Sequence, residues 1–97
     1  MIVVHDIFVC KPGNASKIAK MCRETMTGRD KQVAVMTDMT GQFHRVIIAS
    51  WHDSLSAYEK EMESMKNPTP EMKAQFAKME GMNDMYISGS REIYRVW

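Results

Sequence analysis

Residues 2–10, IVVHDIFVC, decide the fold of this chain. Seven of these nine residues are apolar, and most are β-branched or aromatic, which is typical of a β-strand. Because side chains alternate between the two faces of a strand, both faces are apolar here. One face carries Ile2, Val4, Phe8 and Cys10, and the other carries Val3, Ile7 and Val9. A strand of this kind belongs in the middle of a sheet whose two faces are covered.

A helix and a hairpin are predicted to follow this strand. Apolar residues from Ala15 to Met26 recur at helical spacing, with Asn14 as a candidate N-cap and Gly28 as a natural stop. Residues 31–38 and 42–51 have the composition of two further strands. Thr40-Gly41 marks a tight turn between them, so we expect these strands to pair in the antiparallel direction.

The second half of the chain predicts two helices and a final strand. Asp53 or Ser54 can start the first helix, and Asn67-Pro68 breaks it. Thr69-Pro70 then starts a second helix, which Gly81 ends. Residues 86–97 read as the last strand, with Gly89 as a candidate bulge.

The predicted order, β-α-β-β-α-(α)-β, is that of an α+β, ferredoxin-like βαββαβ fold. In this fold a four-stranded antiparallel sheet carries its helices on one face. With 97 residues, we expect one domain spanning residues 1–97.

Charge and cysteine usage exclude several classes of function. Thirteen basic residues oppose twelve acidic ones, which argues against a nucleic-acid groove and against a polybasic membrane anchor. No apolar run approaches the roughly 18–20 residues of a membrane span. Cys10 and Cys22 lie on apolar faces, so we expect two buried free thiols in a cytoplasmic protein.

The face of the sheet opposite the helices predicts a homodimer. The strand at 42–51 places Phe43, Ile47, Ala49 and Trp51 on one face and Val46 and Ile48 on the other. At about 25 cal/mol per Å² of apolar area, leaving such a face in water forgoes several kcal/mol. Stacking two sheets face to face in a symmetric dimer covers that area.

The chain resembles the dimeric α/β-barrel superfamily, and within it small NIPSNAP-like and antibiotic-biosynthesis-monooxygenase-like proteins. The resemblance covers nearly the whole chain. It rests on a strand running into Lys11-Pro12-Gly13 and a helix, and on Gly41 followed by residues 44–51, HRVIIASW, and 53–59, DSLSAYE.

This resemblance implies a dimeric α/β barrel with a small cavity between the sheet and the helices of each protomer. It also implies cofactor-independent oxygenation or isomerisation of an aromatic or enolisable compound. The alternative is a non-catalytic binding or assembly module of the NIPSNAP-like type. That alternative is favoured by Val4, Asp6 and Phe8, which stand where NIPSNAP-like first strands often carry Glu-x-Arg-x-Tyr.

Polar residues in the central strands are the candidates for catalysis. His5 and Asp6 face opposite sides of their strand, and His44 is placed to meet His5 across the sheet. We expect Arg45, on the neighbouring strand, to pair with Asp6 or to stabilise an anionic substrate. The candidates are His5, Asp6 and His44 as bases, and Phe8, Arg45, Trp51 and Tyr58 as ligand contacts, with no metal site and no cofactor. A structural role, as a buried ion pair or as hydrogen-bonded histidines, is the alternative for the polar ones, and His52 is expected to be solvated.

Whether the cavity between sheet and helices is open or filled distinguishes the catalytic function from the non-catalytic one. An open cavity containing His5 or Asp6, with an unpaired polar atom, favours catalysis. A cavity filled by side chains, with every polar group paired, favours the non-catalytic alternative.

Eleven methionines are the unusual feature of the composition. Three runs, Met36-x-x-Met39, Met62-x-x-Met65 and Met79-x-x-Met82-x-x-Met85, have a spacing that soft metals such as copper(I) accept. Most of these positions also fall on helical stripes, where methionine packs a core. Core packing and a pliable pocket for a hydrophobic ligand are the interpretations that the sequence favours.

The last strand allows two interpretations. Arg91 and Arg95 share one face with Ile87, Ile93 and Trp97, and Glu92 and Tyr94 lie on the other. Such alternation is typical of an edge strand protected against aggregation. Alternatively, the strand reaches across to a partner subunit and completes its barrel.

Overall fold

The first strand lies inside an antiparallel sheet, as its two apolar faces predict. The computed structural model describes residues 1–26 and 32–97. In chain order, these residues form β1 (Ile2–Cys10), α1 (Ala15–Thr25), β2 (Val33–Thr37), β3 (Arg45–His52), α2 (Leu55–Ser64), α3 (Pro70–Ala77), a 3₁₀ turn (Met82–Asp84) and β4 (Tyr86–Arg95). The strand order is β2-β3-β1-β4, so the ferredoxin-like prediction is confirmed.

The register of β1 decides which of its two apolar faces meets the helices. Val4 is opposite Ser50 of β3 and Ile93 of β4, and it is fully buried. Cys10, on the same face, packs into a core cluster with Ile18 and Cys22 of α1. The even-numbered residues of β1 and β3 therefore face the helices.

The second and third helices begin directly after the predicted N-terminal capping residues. The Ser54 hydroxyl accepts a hydrogen bond from the Ala57 N–H (3.1 Å), and Thr69 accepts one from the Met72 N–H (3.2 Å). Pro70 occupies the first turn of α3. Asn14 precedes α1 as expected, although its side chain makes no capping hydrogen bond. The predicted helix stop at Gly28 and the predicted strand start at residue 31 lie outside the described residues.

One predicted strand boundary and one predicted turn in the first half of the chain are wrong. β3 begins at Arg45 instead of residue 42, since His44 has a φ of 64° that no strand accommodates. The connection to β2 is therefore longer than a tight turn at Thr40-Gly41. It is held by the Arg45 N–H, which donates to Asp38 Oδ1 at 2.8 Å.

Two further predictions near the end of the chain need correction. α3 ends at Ala77 and is followed by turns, and Gly81, with a φ of 86°, precedes the 3₁₀ turn. The irregularity in the β1–β4 ladder lies between Val9 and Cys10, whereas Gly89 pairs regularly with Phe8.

One face of the sheet, which we call the open face, lies opposite the described helices. Its apolar and aromatic side chains are Val3, His5, Ile7 and Val9 of β1, Ala34 and Met36 of β2, Ile47, Ala49 and Trp51 of β3, and Tyr94 of β4. Two charged residues share this face, Arg45 opposite Val9 and Glu92 opposite His5. Trp51 is 39% exposed and Tyr94 46%. None of the helices in residues 1–26 and 32–97 is long and apolar enough to cross a bilayer.

The core contains two free thiols. Cys10 and Cys22 are both buried, as predicted, and neither forms a disulfide. Burial raises the pKa of the Cys22 thiol from 9.0 to about 11, with Cys10 adding to the shift. Burial also raises the pKa of Cys10. Because the folded state holds these protons more tightly than the unfolded chain, stability must fall as pH rises through this range.

We expect the free energy of unfolding to be constant up to about pH 9 and to decline towards pH 11 by about 1–3 kcal/mol from Cys22. Guanidinium titrations across this pH range measure the decline. Cys22→Ala should be less stable at neutral pH but should show a shallower decline, and Met39→Ala, at an exposed position, should keep the slope of the unchanged protein. Equal slopes for Cys22→Ala and the unchanged protein would contradict the assignment.

Candidate functional site

A small cavity lies between the helix-facing side of the sheet and the helices, where the resemblance places one. We call it the inner chamber, and its volume is about 70 Å³. It is lined by Asp6, Met26, Val33, Ile48, Ser50, His52, Tyr58, Glu61, Met62 and Met65. Apolar side chains thus surround a group of polar ones at the end of β3.

His52 is held between two polar partners. Its side chain is 7% exposed, with Nδ1 3.2 Å from Glu61 Oε2 and Nε2 2.9 Å from Ser50 Oγ. A carboxylate at Nδ1 fixes the orientation and tautomer of the ring. With the Nδ1 proton donated to Glu61, Nε2 accepts the Ser50 hydroxyl. This is the geometry of an oriented general base.

The prediction that His52 is solvated is wrong, because β3 extends past its predicted end at residue 51 and includes His52. The strand continues through His52, so this side chain points to the helices like Val46 and Ile48. α2 begins three residues later and brings Glu61 over the imidazole.

Tyr58, which lines the same chamber, has an unused hydrogen-bond donor. Its hydroxyl is buried and, within the described part of the chain, has no hydrogen-bond partner. The ring stacks edge-on against His52, with centroids 4.9 Å apart. Burial raises the pKa of Tyr58 more than the nearby Arg91 lowers it. The phenol therefore keeps its proton at neutral pH and can donate a hydrogen bond to an acceptor that reaches it.

Asp6 takes part in an ion pair, but with a different arginine from the one predicted. Arg91 Nε donates to Asp6 Oδ1 at 2.5 Å, and the guanidinium carbon lies 5.8 Å from the centre of the Tyr58 ring. The hydrogen bond from Arg91 to Asp6 raises the pKa of Arg91. The predicted pairing with Arg45 is wrong because Arg45 is opposite Val9, near the other end of β1. Its Nε donates to the Gln42 carbonyl instead, at 3.3 Å.

The two histidines predicted to meet across the sheet are far apart in register. His5 is opposite Ala49 on the open face, where its ring lies 5.4 Å from that of Tyr94. His44 precedes β3 and is exposed. The structure therefore does not bring His5 and His44 together.

Of the seven candidate residues, the inner chamber contains Asp6 and Tyr58. Phe8 faces the helices but packs against Tyr86, with ring centroids 5.1 Å apart, and Trp51 lies on the open face. Arg45, His5 and His44 also lie outside the chamber. The catalytic and ligand-binding roles given to these seven residues stay predictions.

Sequence reasoning missed Ser50, His52 and Glu61. Ser50 and His52 carry a usable signal, since they continue the even-numbered row of Val46 and Ile48. Glu61 is three residues after Tyr58, so both fall on one face of α2.

The methionine runs fall into different environments. Met62 and Met65 line the inner chamber, Met82 is buried in the core, and Met39 is 96% exposed. Within the described residues, no group of three His, Cys, Asp or Glu side chains is arranged to hold a metal ion.

We expect Tyr58→Phe to raise the free energy of unfolding by about 1–2 kcal/mol, because it removes a buried hydroxyl without a partner and keeps the ring. Thermal and guanidinium unfolding measure the change. Tyr94→Phe is the matched control, since that hydroxyl donates to Glu92 at 2.7 Å on an exposed strand and its loss brings no gain. A destabilised Tyr58→Phe variant would show that the hydroxyl has a partner in the resting protein.

The sequence matches no known family model, and no curated protein matches it. Similarity to solved structures is extensive. An uncharacterised NIPSNAP domain protein from Burkholderia xenovorans aligns with a TM-score of 0.75 at 13% identity, covering 100% of this chain and 95% of that one. A NIPSNAP family protein from Agrobacterium tumefaciens aligns with a TM-score of 0.73 at 15% identity, covering 97% and 90% of the two chains.

The monooxygenase side of the resemblance is also found among solved structures. A protein from Deinococcus radiodurans, provisionally described as an antibiotic biosynthesis monooxygenase, aligns with a TM-score of 0.65 at 13% identity. That alignment covers 100% of this chain and 93% of the other. The chain therefore has the fold of NIPSNAP domain proteins and antibiotic-biosynthesis-monooxygenase-like proteins, as its sequence resemblance predicted.

Proposed function

We propose that this protein binds a small carbonyl compound with an apolar body and catalyses proton transfer at the carbon next to the carbonyl. The observation that carries this proposal is the buried, unpartnered Tyr58 hydroxyl beside an imidazole oriented by Glu61. Removing a proton next to a carbonyl requires a base and a donor to the oxygen, where negative charge develops. The inner chamber contains one of each.

In this mechanism Tyr58 donates a hydrogen bond to the carbonyl oxygen. The Ser50 hydroxyl releases His52 Nε2, which then accepts the proton from the carbon next to the carbonyl. Glu61 stabilises the imidazolium that forms. The Arg91 cation over the Tyr58 ring favours the enolate electrostatically, although Asp6 balances part of its charge. The anion-stabilising role predicted for Arg45 thus passes to Tyr58 and Arg91.

The enolate can react in two ways, which lead to isomerisation or to oxygenation. Return of the proton to a different carbon isomerises the substrate, whereas reaction of the enolate with dioxygen oxygenates it without a cofactor. The provisional monooxygenase description of structural neighbours favours the second course. Enolisation is common to both, so it is the step to test.

Proton exchange on phenylacetone in deuterated water tests this step. We expect the protein to accelerate loss of the NMR signals of hydrogens next to the carbonyl. Tyr58→Phe should lower the rate by about 10²–10³, as for loss of one oxyanion donor. His52→Gln should lower it by about 10²–10⁴, as for loss of a general base.

Tyr94→Phe serves as the control, since its hydroxyl is on the open face away from the chamber, and it should exchange the probe at the unchanged rate. Binding of phenylacetone without any acceleration of exchange would refute enolisation. That outcome would favour the non-catalytic binding or assembly module.

We further propose that two copies of this chain stack through their open faces. Ile7, Ile47 and Trp51 lie on this face, and the described helices cover only the opposite one. Association removes this apolar area from water at about 25 cal/mol per Å². The inner chamber is on the other side of the sheet, so each protomer keeps its own chamber.

Ile47→Glu places a charge in the middle of the open face and should convert the dimer to a monomer. Sedimentation equilibrium at micromolar concentration measures the mass. Met39→Glu, which places the same charge at an exposed loop position, should remain dimeric. A monomeric unchanged protein at that concentration would overturn the proposal.

A further inference from the structure

A second cavity adjoins the inner chamber on its helical side. We call it the outer chamber, and its volume is about 240 Å³. It lies among the end of α1, the second half of α2 and α3, and it is lined by Thr25, Met26, Glu61, Ser64, Met65, Met72, Gln75 and Phe76. Met26, Glu61 and Met65 line both chambers. The two cavities are therefore neighbours that share these three side chains.

Half of the residues that line the outer chamber are apolar, and two of its polar ones are satisfied within their own helices. The Thr25 hydroxyl donates to the Met21 carbonyl at 2.9 Å, and the Ser64 hydroxyl donates to the Glu61 carbonyl at 2.7 Å. Because their own helices satisfy both hydroxyls, these residues have no need of a polar ligand. The remaining wall is three methionines and Phe76, together with the Glu61 carboxylate at the junction with the inner chamber. Gln75 and Phe76 lie at the surface, where Phe76 is 42% exposed.

The two chambers differ in volume, so they can accept different parts of a ligand. A cavity of about 150 Å³ holds one benzene molecule. The inner chamber, at about 70 Å³, accepts a small polar group and excludes a ring. The outer chamber, at about 240 Å³, accepts a ring or a short alkyl chain.

We propose that the outer chamber is the binding site for the apolar tail of the substrate. The substrate class is then an amphipathic carbonyl compound, with a small methyl-ketone-like head and a tail of one ring or a short unbranched chain. This inference rests on the proposed function, because Tyr58 and His52 set the position of the head. The head enters the inner chamber and the tail passes between Met26 and Met65.

Methionine suits such a passage. Its thioether side chain is unbranched and flexible, and it adapts to tails of different shape. Three methionines, Met26, Met65 and Met72, line the outer chamber, so part of the high methionine content of the chain has a use there. Glu61 lies at the same junction, where it orients His52.

The dependence of exchange on tail length tests the inference. We expect kcat/KM for proton exchange to rise roughly fourfold per methylene from acetone through butanone and 2-hexanone to 2-octanone, until the chamber is full. Met72→Trp fills the outer chamber and should flatten this rise. Met39→Trp places the same ring at an exposed position and should keep it.

A second measurement does not depend on catalysis. Protein labelled with ¹³C at the methionine methyl groups is titrated with 2-octanone or with acetone and observed by NMR, with signals assigned by Met→Leu variants. We expect 2-octanone to shift the Met65 and Met72 signals and to leave that of the exposed Met39 unchanged. Acetone should leave the Met72 signal in place.

The outcomes separate the two proposals. Shifts at Met65 and Met72 without proton exchange on any ketone support the tail site and overturn the proposed chemistry. Exchange at a rate independent of tail length, with an unshifted Met72 signal, overturns the tail site and leaves the chemistry standing. A Met39 shift as large as that of Met72 would also overturn the tail site, because it indicates nonspecific binding.

Discussion

The central position of β1 is the constraint on which the rest of this structure depends. Both edges of β1 are hydrogen-bonded to neighbouring strands, so its side chains can lie only on the two faces of the sheet. Their alternation then fixes the face of every residue. Val4 and Cys10 belong to the core, so Asp6 must face the helices with them. A carboxylate in that position needs a cation nearby. The ladder with β4 supplies it, since Asp6 is directly opposite Arg91.

The same alternation assembles the candidate site on β3. Val46 and Ile48 face the core. The next two side chains on the same face of β3 are Ser50 and His52, where the apolar layer ends. α2 crosses this point and contributes Tyr58 and Glu61 from one helical face. The site thus lies where the hydrophobic layer between sheet and helices gives way to polar side chains. The His52 side chain is 7% exposed there, and those of Asp6 and Glu61 are 29% and 30% exposed.

Much of the fold follows from the sequence because it is encoded locally. The period of the apolar residues predicts the strands, and Ser54, Thr69 and Pro70 define helix starts through bonds within a few residues. The site is harder to predict from the sequence, since it depends on where β3 ends and on the register between strands that are distant in sequence. β1 lies between two strands that each carry arginine, and the sequence does not give the register that places Arg45 opposite Val9 and Arg91 opposite Asp6. His52 was missed for a related reason: at a strand end, one more paired residue moves a side chain from solvent to the core.

The ion pair between Asp6 and Arg91 has a consequence for how the protein folds. Its two residues are separated by 85 positions, nearly the full length of the chain. β1 can pair with β3 before the end of the chain takes part, but the cation beside the candidate site arrives only with β4, the last strand made. Contacts between such distant segments require closure of a large loop and slow folding. Any state of the chain in which β4 is not paired therefore has a carboxylate at Asp6 without this counterion, so the pairing of β4 with β1 also completes the electrostatics of the site.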